Sequence, residues 1–83
     1  MSTTRLTLIG KPGCHLCEDA RAVIDAVRAE PGMPEVELEE LSILDDPALH
    51  DRYWEEIPVL LINDRMHTYW RVDPARLRAA LGA

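Results

Sequence analysis

Lys11-Pro12-Gly13-Cys14-His15-Leu16-Cys17 is the stretch whose reading decides the fold. It holds both cysteines of the chain, and it lies where one hydropathy pattern gives way to another. On its N-terminal side, Arg5-Leu6-Thr7-Leu8-Ile9 is apolar and β-branched and runs straight into a Gly-Lys-Pro-Gly turn, which reads as a short strand. On its C-terminal side, Leu16, Ala20, Val23, Ile24 and Val27 recur at helical spacing and form one apolar stripe. Glu18, Asp19, Arg21, Asp25 and Arg28 occupy the opposite face. Cys14 is therefore expected at about the N-cap of a helix, with Cys17 one turn inside.

That placement carries chemistry. The first N–H groups of a helix have no carbonyl partner and present a partial positive charge. A sulfur at the cap can accept from the N–H groups of Leu16 and Cys17, which favours thiolate over thiol. Lys11 is a candidate for adding positive charge on the same side. A cysteine so placed is expected to have a lowered pKa, and the thiolate is the species that attacks disulfides. Cys17, beside the apolar stripe, is expected to be more enclosed and to act second. One helical turn between the two brings the sulfurs within bonding reach.

Composition narrows the class. The chain has 83 residues, 47% of them hydrophobic, enough for one domain over 1–83 with one core. Met1-Ser2-Thr3-Thr4 is polar and the apolar run after it is too short for an export signal, so a cytoplasmic protein is expected. No stretch approaches the length that spans a membrane. A small secreted domain usually carries several cysteine pairs, so a lone Cys-x-x-Cys here points to catalysis rather than to a structural staple. The net charge of −6 disfavours nucleic acid or an anionic membrane as partner.

Outward from the cysteines, the first helix should end by about Glu30, because Pro31-Gly32-Met33-Pro34 cannot continue it. Glu35-Val36-Glu37-Leu38-Glu39-Glu40-Leu41-Ser42-Ile43 alternates in part and reads as an edge strand. Its phase slips at Glu39-Glu40, which predicts a bulge or a later strand start there. Asp45-Asp46-Pro47 supplies a cap and a first-turn proline for a short helix to about Tyr53. Ile57-Pro58-Val59-Leu60-Leu61-Ile62 is continuously apolar, as in a central strand covered on both faces, with Pro58 at its start because it has no N–H to donate. Asn63-Asp64 forms a two-residue hairpin turn into Arg65-Met66-His67-Thr68-Tyr69-Trp70. Asp73-Pro74 caps a last helix anchored by Leu77 and Leu81 and stopped by Gly82. The expected order is β-α-β-α-β-β-α. The first two strands are parallel and the last two antiparallel, in a four-stranded mixed sheet with helices on both faces.

A strand, then Lys-x-x-Cys-x-x-Cys and a helix, and later Ile57-Pro58-Val59 opening the third strand, resemble a glutaredoxin-like member of the thioredoxin superfamily. The resemblance covers nearly the whole chain and implies an α/β thioredoxin fold. It implies that Cys14 is the nucleophile and Cys17 the resolving thiol. It implies further that Lys11 completes the catalytic site, that the Ile57-Pro58 bond is cis, and that Ile57 offers its backbone N–H and C=O to the substrate. This chain departs from the family pattern at two places. His15-Leu16 stands between the cysteines where many members have Pro-Tyr, and Trp70-Arg71-Val72 stands where the family has a Gly-Gly pair that lets glutathione approach the backbone. Arg71 can instead offer a guanidinium to a glutathione carboxylate. Asp73 matches an acidic residue after the glycines, and equally serves as a helix cap.

The residues thus point to a monomeric thiol–disulfide oxidoreductase that needs no metal or bound organic cofactor. Its substrate would be a protein or small-molecule disulfide, and glutathione or a thioredoxin reductase would return the electrons. Two other readings of the cysteines stand beside it: incidental residues of a thioredoxin-fold binding module, or ligands of a metal or iron–sulfur carrier. His15 either tunes the thiolate or is an exposed residue without a role, and His50 and His67 are expected at the surface. No histidine spacing completes a four-ligand zinc site.

Overall fold

Two aspartates and two prolines set where the later helices begin. In a computed structural model that describes residues 3–82, the elements are β1 (Thr4–Gly10), α1 (His15–Arg28), β2 (Val36–Ser42), α2 (Pro47–Tyr53), β3 (Val59–Ile62), β4 (Arg65–Tyr69) and α3 (Pro74–Gly82). Asp46 accepts from the Ala48 N–H at 2.9 Å and Asp73 from the Ala75 N–H at 2.9 Å, each followed by proline at the first helical position. Asn63 and Asp64 both take positive φ, 50° and 69°, the conformation that matches a tight two-residue turn to the twist of its hairpin. The polar start at Met1-Ser2, read as the absence of an export signal, lies outside the described residues. Among the described residues no helix is long and apolar enough to cross a membrane.

The sheet order is β2-β1-β3-β4, with β1 and β2 parallel and the other pairs antiparallel. β2 lies at an edge, as expected. Alternation along β1 and β3 sends side chains to two cores. Leu6, Leu8, Leu60 and Ile62 pack with Ala20, Ile24 and Val27 of α1 and Leu77 and Leu81 of α3. Ile9, Val59 and Leu61 pack with Tyr53 and Leu49 of α2. Each fully buried Leu, Ile or Val contributes about 1.5–3 kcal/mol, so helices on both faces follow from a central pair of strands that is apolar on both sides.

Two expectations are corrected. There is no bulge at Glu39-Glu40: β2 pairs with β1 without interruption from Thr4–Val36 to Gly10–Ser42. The phase slip has another cause. Val36 and Leu38 face the α1/α3 core, whereas Leu41 and Ile43 face the α2 core, so the strand changes the side it buries where α2 begins to cover it. The irregularity instead lies between Leu60 and Leu61 opposite β4, where the partners jump from Thr68 to Met66 and pass over His67. His67, expected at the surface, is half-buried there. Its Nε2 is buried without a hydrogen-bond partner, and burial beside Arg76 lowers its pKa.

Candidate redox site

The C-terminal end of β1 delivers the cysteines. After Gly10 the chain turns through Lys11-Pro12-Gly13, with Gly13 at φ +73°, a conformation that costs glycine little. Cys14 then sits at the N-cap of α1 with extended backbone, φ −95° and ψ 112°. Its Sγ accepts from the Cys17 N–H at 3.2 Å, and its carbonyl accepts from the Glu18 N–H at 3.0 Å. Of the two donors expected to meet this sulfur, the N–H groups of Leu16 and Cys17, the Cys17 N–H is the one that does so. Cys14 and Cys17 form a disulfide with Cα atoms 5.2 Å apart.

The two sulfurs are unequal. Cys17 is buried at 9% exposure, while Cys14 is half-buried at the rim. Gly10 makes the burial possible. A Cβ at Gly10 would stand 2.7 Å from the Cys17 Sγ, closer than carbon and sulfur approach, so the strand end and the buried sulfur share space that only glycine leaves. The sequence reading missed Gly10, because a close approach across elements leaves no local signature beyond a glycine that a turn already explains.

Lys11, His15 and Asp73, singled out from the sequence, make no side-chain hydrogen bond to either cysteine among the described residues. Lys11 is exposed and, with Cys17, Arg21, Glu40 and Asp45, lines a cavity of about 440 Å³ between α1 and the ends of β1 and β2. Arg21 bridges that cavity's wall to Glu40 at 2.7 Å, and the carboxylates of Glu40 and Asp25 raise the Arg21 pKa. The His15 side chain is 97% exposed, with its Nδ1 3.8 Å from Glu18 Oε2. Asp73 is engaged as the cap of α3.

Ile57-Pro58 is a cis bond. Antiparallel pairing of Ile9 with Val59 sets this segment alongside the Gly10 end of β1. The Ile57 N–H donates to the Tyr53 carbonyl at 3.1 Å, so this group closes α2 instead of facing outward. The Pro58 carbonyl is held by the Trp70 N–H at 2.8 Å. Trp70 takes φ +67°, a region that a bulky residue occupies at a cost of about 1–3 kcal/mol. Its indole Nε1 donates to the Glu55 carbonyl at 3.0 Å, and its ring meets Tyr69 edge-on at 5.0 Å. Trp70, Arg71 and Val72 form one wall of a groove whose other wall is Leu16, Asp19, Ala20 and Val23 of α1. Leu16, expected in the apolar stripe, is 37% exposed and looks into this groove.

Comparison with known proteins agrees with the architecture. Residues 5–82 match the model of the glutaredoxin-like domain (DUF836) family. An uncharacterised protein of Mycobacterium tuberculosis is 30% identical over 81 residues, covering 95% of this chain and 84% of its own length. The X-ray structure of a structural-genomics target from X. campestris is 34% identical with a TM-score of 0.74, covering 92% of this chain and 93% of that one. A solution structure of a Nitrosomonas europaea protein is 26% identical with a TM-score of 0.80, covering 98% and 94%. More distant structures, a thioredoxin-2 of the malaria parasite at 18% identity among them, share the fold alone. With its thioredoxin fold, its Cys14–Cys17 disulfide at a helix N-terminus and a family match over almost its whole length, this chain belongs to the glutaredoxin-like domain (DUF836) family of the thioredoxin superfamily.

Proposed function

We propose that the protein is a thiol–disulfide oxidoreductase working through the Cys14/Cys17 dithiol. One observation carries this reading: the two sulfurs are bonded to each other at a helix N-terminus, with Cys14 at the rim holding the capping hydrogen bond and Cys17 buried behind it. In the reduced form, the Cys14 thiolate attacks one sulfur of the substrate disulfide. A Cys14–substrate bond forms, and the other substrate sulfur leaves as a thiolate that takes up a proton. Cys17 then loses its proton and attacks the Cys14 sulfur, which forms the intramolecular disulfide and expels the second substrate thiol. Two electrons have passed to the substrate, and two electrons from an external thiol or a reductase restore the dithiol.

Lys11 contributes positive charge near the cap, and Pro58 supports the rim by fixing Trp70 through its carbonyl. The electron donor is proposed to be other than glutathione. The turn at Trp70 has the backbone conformation of a glycine but carries an indole locked to Glu55, so close backbone approach is obstructed. Arg71 offers a carboxylate partner but cannot restore that approach. Assaying reduction of a simple disulfide with glutathione plus its reductase, and separately with a thioredoxin reductase, tests the assignment. Turnover with the second and little with the first is expected, and efficient saturation by glutathione would overturn the donor assignment. Activity in the cytoplasm as a monomer is part of the same proposal.

A further inference from the structure

The cavity behind the buried sulfur has a charged mouth that the exchange as described does not use. Its volume is about 440 Å³, and it shares no lining residue with the groove at Trp70. Leu8, Gly10 and Cys17 are its buried lining residues. Cys17 must exist as a thiolate twice in the exchange cycle. It does so when it attacks Cys14, and again when an external thiol reopens the disulfide and Cys17 departs. Burial opposes that charge, because it withholds the water that would solvate it. In the mixed disulfide the substrate covers the Cys14 side, so compensation has to come from the cavity behind.

The charged lining comes from four segments. Lys11 lies in the turn after β1, Glu18 and Arg21 in α1, Glu40 in β2, and Asp45 in the turn before α2. β1 itself contributes only the uncharged Leu8 and Gly10. Lys11 is exposed in its turn, and Glu18 lies beside His15 at 3.8 Å. Arg21 differs from both in being fixed over the cavity. It follows Cys17 by four residues, which puts the two on one face of α1, roughly 5–6 Å apart at Cβ. Its Nη1 donates to Glu40 at 2.7 Å and its Nε to Asp25 at 3.1 Å, so the guanidinium spans from α1 to β2. Strand register explains the reach. Glu40 stands opposite Leu8, and Ser42 stands opposite the Gly10 that abuts the Cys17 sulfur. Without Arg21, the carboxylates of Glu18, Glu40 and Asp45 would dominate the lining and oppose a thiolate there.

We infer that the Arg21 guanidinium, held across this cavity by Glu40 and Asp25, stabilises the Cys17 thiolate that forms in both directions of the exchange. The inference rests on the exchange reading and adds a residue to the same site. In the resolving step Cys17 loses its proton through the cavity to solvent, and its sulfur bonds to the Cys14 sulfur. The Cys14–substrate bond breaks, and its electron pair leaves on the substrate thiolate. In the opposite direction, an external thiolate attacks Cys14, the electron pair passes to Cys17, and Cys17 takes up a proton from the same side. Arg21 keeps its charge throughout, since a guanidinium is not deprotonated in a protein. Glu40 and Asp25 are positioning residues, because they hold the cation over the cavity.

The test titrates Cys17 alone, in reduced Cys14→Ser protein, by ultraviolet thiolate absorbance against pH. Protein lacking both cysteines supplies the tyrosine blank, and circular dichroism checks that each variant keeps its fold. Adding Arg21→Gln should raise the Cys17 midpoint by about one unit. Arg21→Lys, which keeps the charge, should restore part of that shift. Raised salt should narrow the gap, since the Arg21 side chain is half-exposed. Arg28→Gln removes a cation that also pairs with Asp25 but lies outside the cavity, and it should leave the midpoint in place. In the two-cysteine protein, Arg21→Gln should slow substrate release from the Cys14 mixed disulfide about tenfold near neutral pH and recover at alkaline pH. The first attack by Cys14 should be unchanged. An Arg21→Gln midpoint equal to the parent's, or an equal shift in Arg28→Gln, would overturn this inference and leave the exchange reading standing. A parent protein that reduces no disulfide, even 2-hydroxyethyl disulfide, would overturn both.

Discussion

At the scale of single residues, Gly10 and Cys17 define each other. The sulfur is buried because the last residue of β1 has no side chain, and a methyl group there would meet it at 2.7 Å. Gly10→Ala should therefore force the Cys17 side chain or the strand end to move, with an overpacking cost of about 1–3 kcal/mol. Thermal unfolding of the oxidised protein checks this, and an unchanged midpoint would mean the strand end yields freely. Cys14 presents the opposite case, half-exposed at a helix N-cap with its sulfur on the Cys17 N–H. In the reduced protein it should alkylate much faster than Cys17, as mass spectrometry of the modified peptides would report; equal rates would remove the asymmetry on which the assigned roles depend. The cap position of Cys14 was legible in the sequence because helix periodicity begins just after it. The role of Gly10 was not, because it depends on a neighbour from another element; Trp70 was marked by the resemblance, but its positive φ was not.

At the scale of elements, what could be read depended on whether the signal was local. The Asp-Pro starts of α2 and α3 and the Asn63-Asp64 turn are local, and the structure has them where the residues imply. Asp46→Ala should cost about 1 kcal/mol through loss of the Ala48 N–H bond. Because α2 covers the core of Ile9, Ile43 and Val59, denaturant unfolding should register that loss globally. A variant as stable as the parent would show that Pro47 alone starts the helix. The phase slip in β2 was visible in the sequence but its cause was not. A bulge and a change of buried face leave the same pattern of residues, and only the cover provided by α2 tells them apart. The irregularity at His67 went unseen because β4 reads as a regular strand.

His67 gives this element a pH dependence. Burial and the nearby Arg76 lower its pKa from 6.5, so the unfolded chain binds the proton more readily than the folded one. The associated stability is complete above pH 6.5 and is lost as pH falls through the depressed folded value. Melting temperature should decline between about pH 7 and 5 in the parent and decline less in His67→Gln. Identical slopes would show that the buried Nε2 carries no such penalty.

At the scale of the whole molecule, the mixed sheet and the two-sided helix cover follow from two central strands that are apolar on both faces, flanked by two amphipathic edges. That balance is written in composition and alternation, so the order β-α-β-α-β-β-α and the directions within the first and last strand pairs were legible in the sequence, whereas the antiparallel pairing of β3 with β1 was not. What the alternation could not convey is which loops meet at the C-terminal end of β1. The approach of Pro58, Trp70 and the N-terminus of α1 is a product of the assembled sheet, and it is this approach that gathers the candidate site from residues distant in sequence.

The central claim is that Cys14 attacks and Cys17 resolves, and intact-mass measurement of the two single-cysteine variants after reaction with a disulfide substrate tests it most directly. Cys17→Ser should accumulate a mixed disulfide on Cys14, one substrate half per chain, because the resolving thiol is gone. Cys14→Ser should remain largely unmodified on the same timescale, its single thiol being buried. Trapping on Cys17 with Cys14 unreactive would reverse the assignment, and failure of Cys17→Ser to form a mixed disulfide would contradict the account.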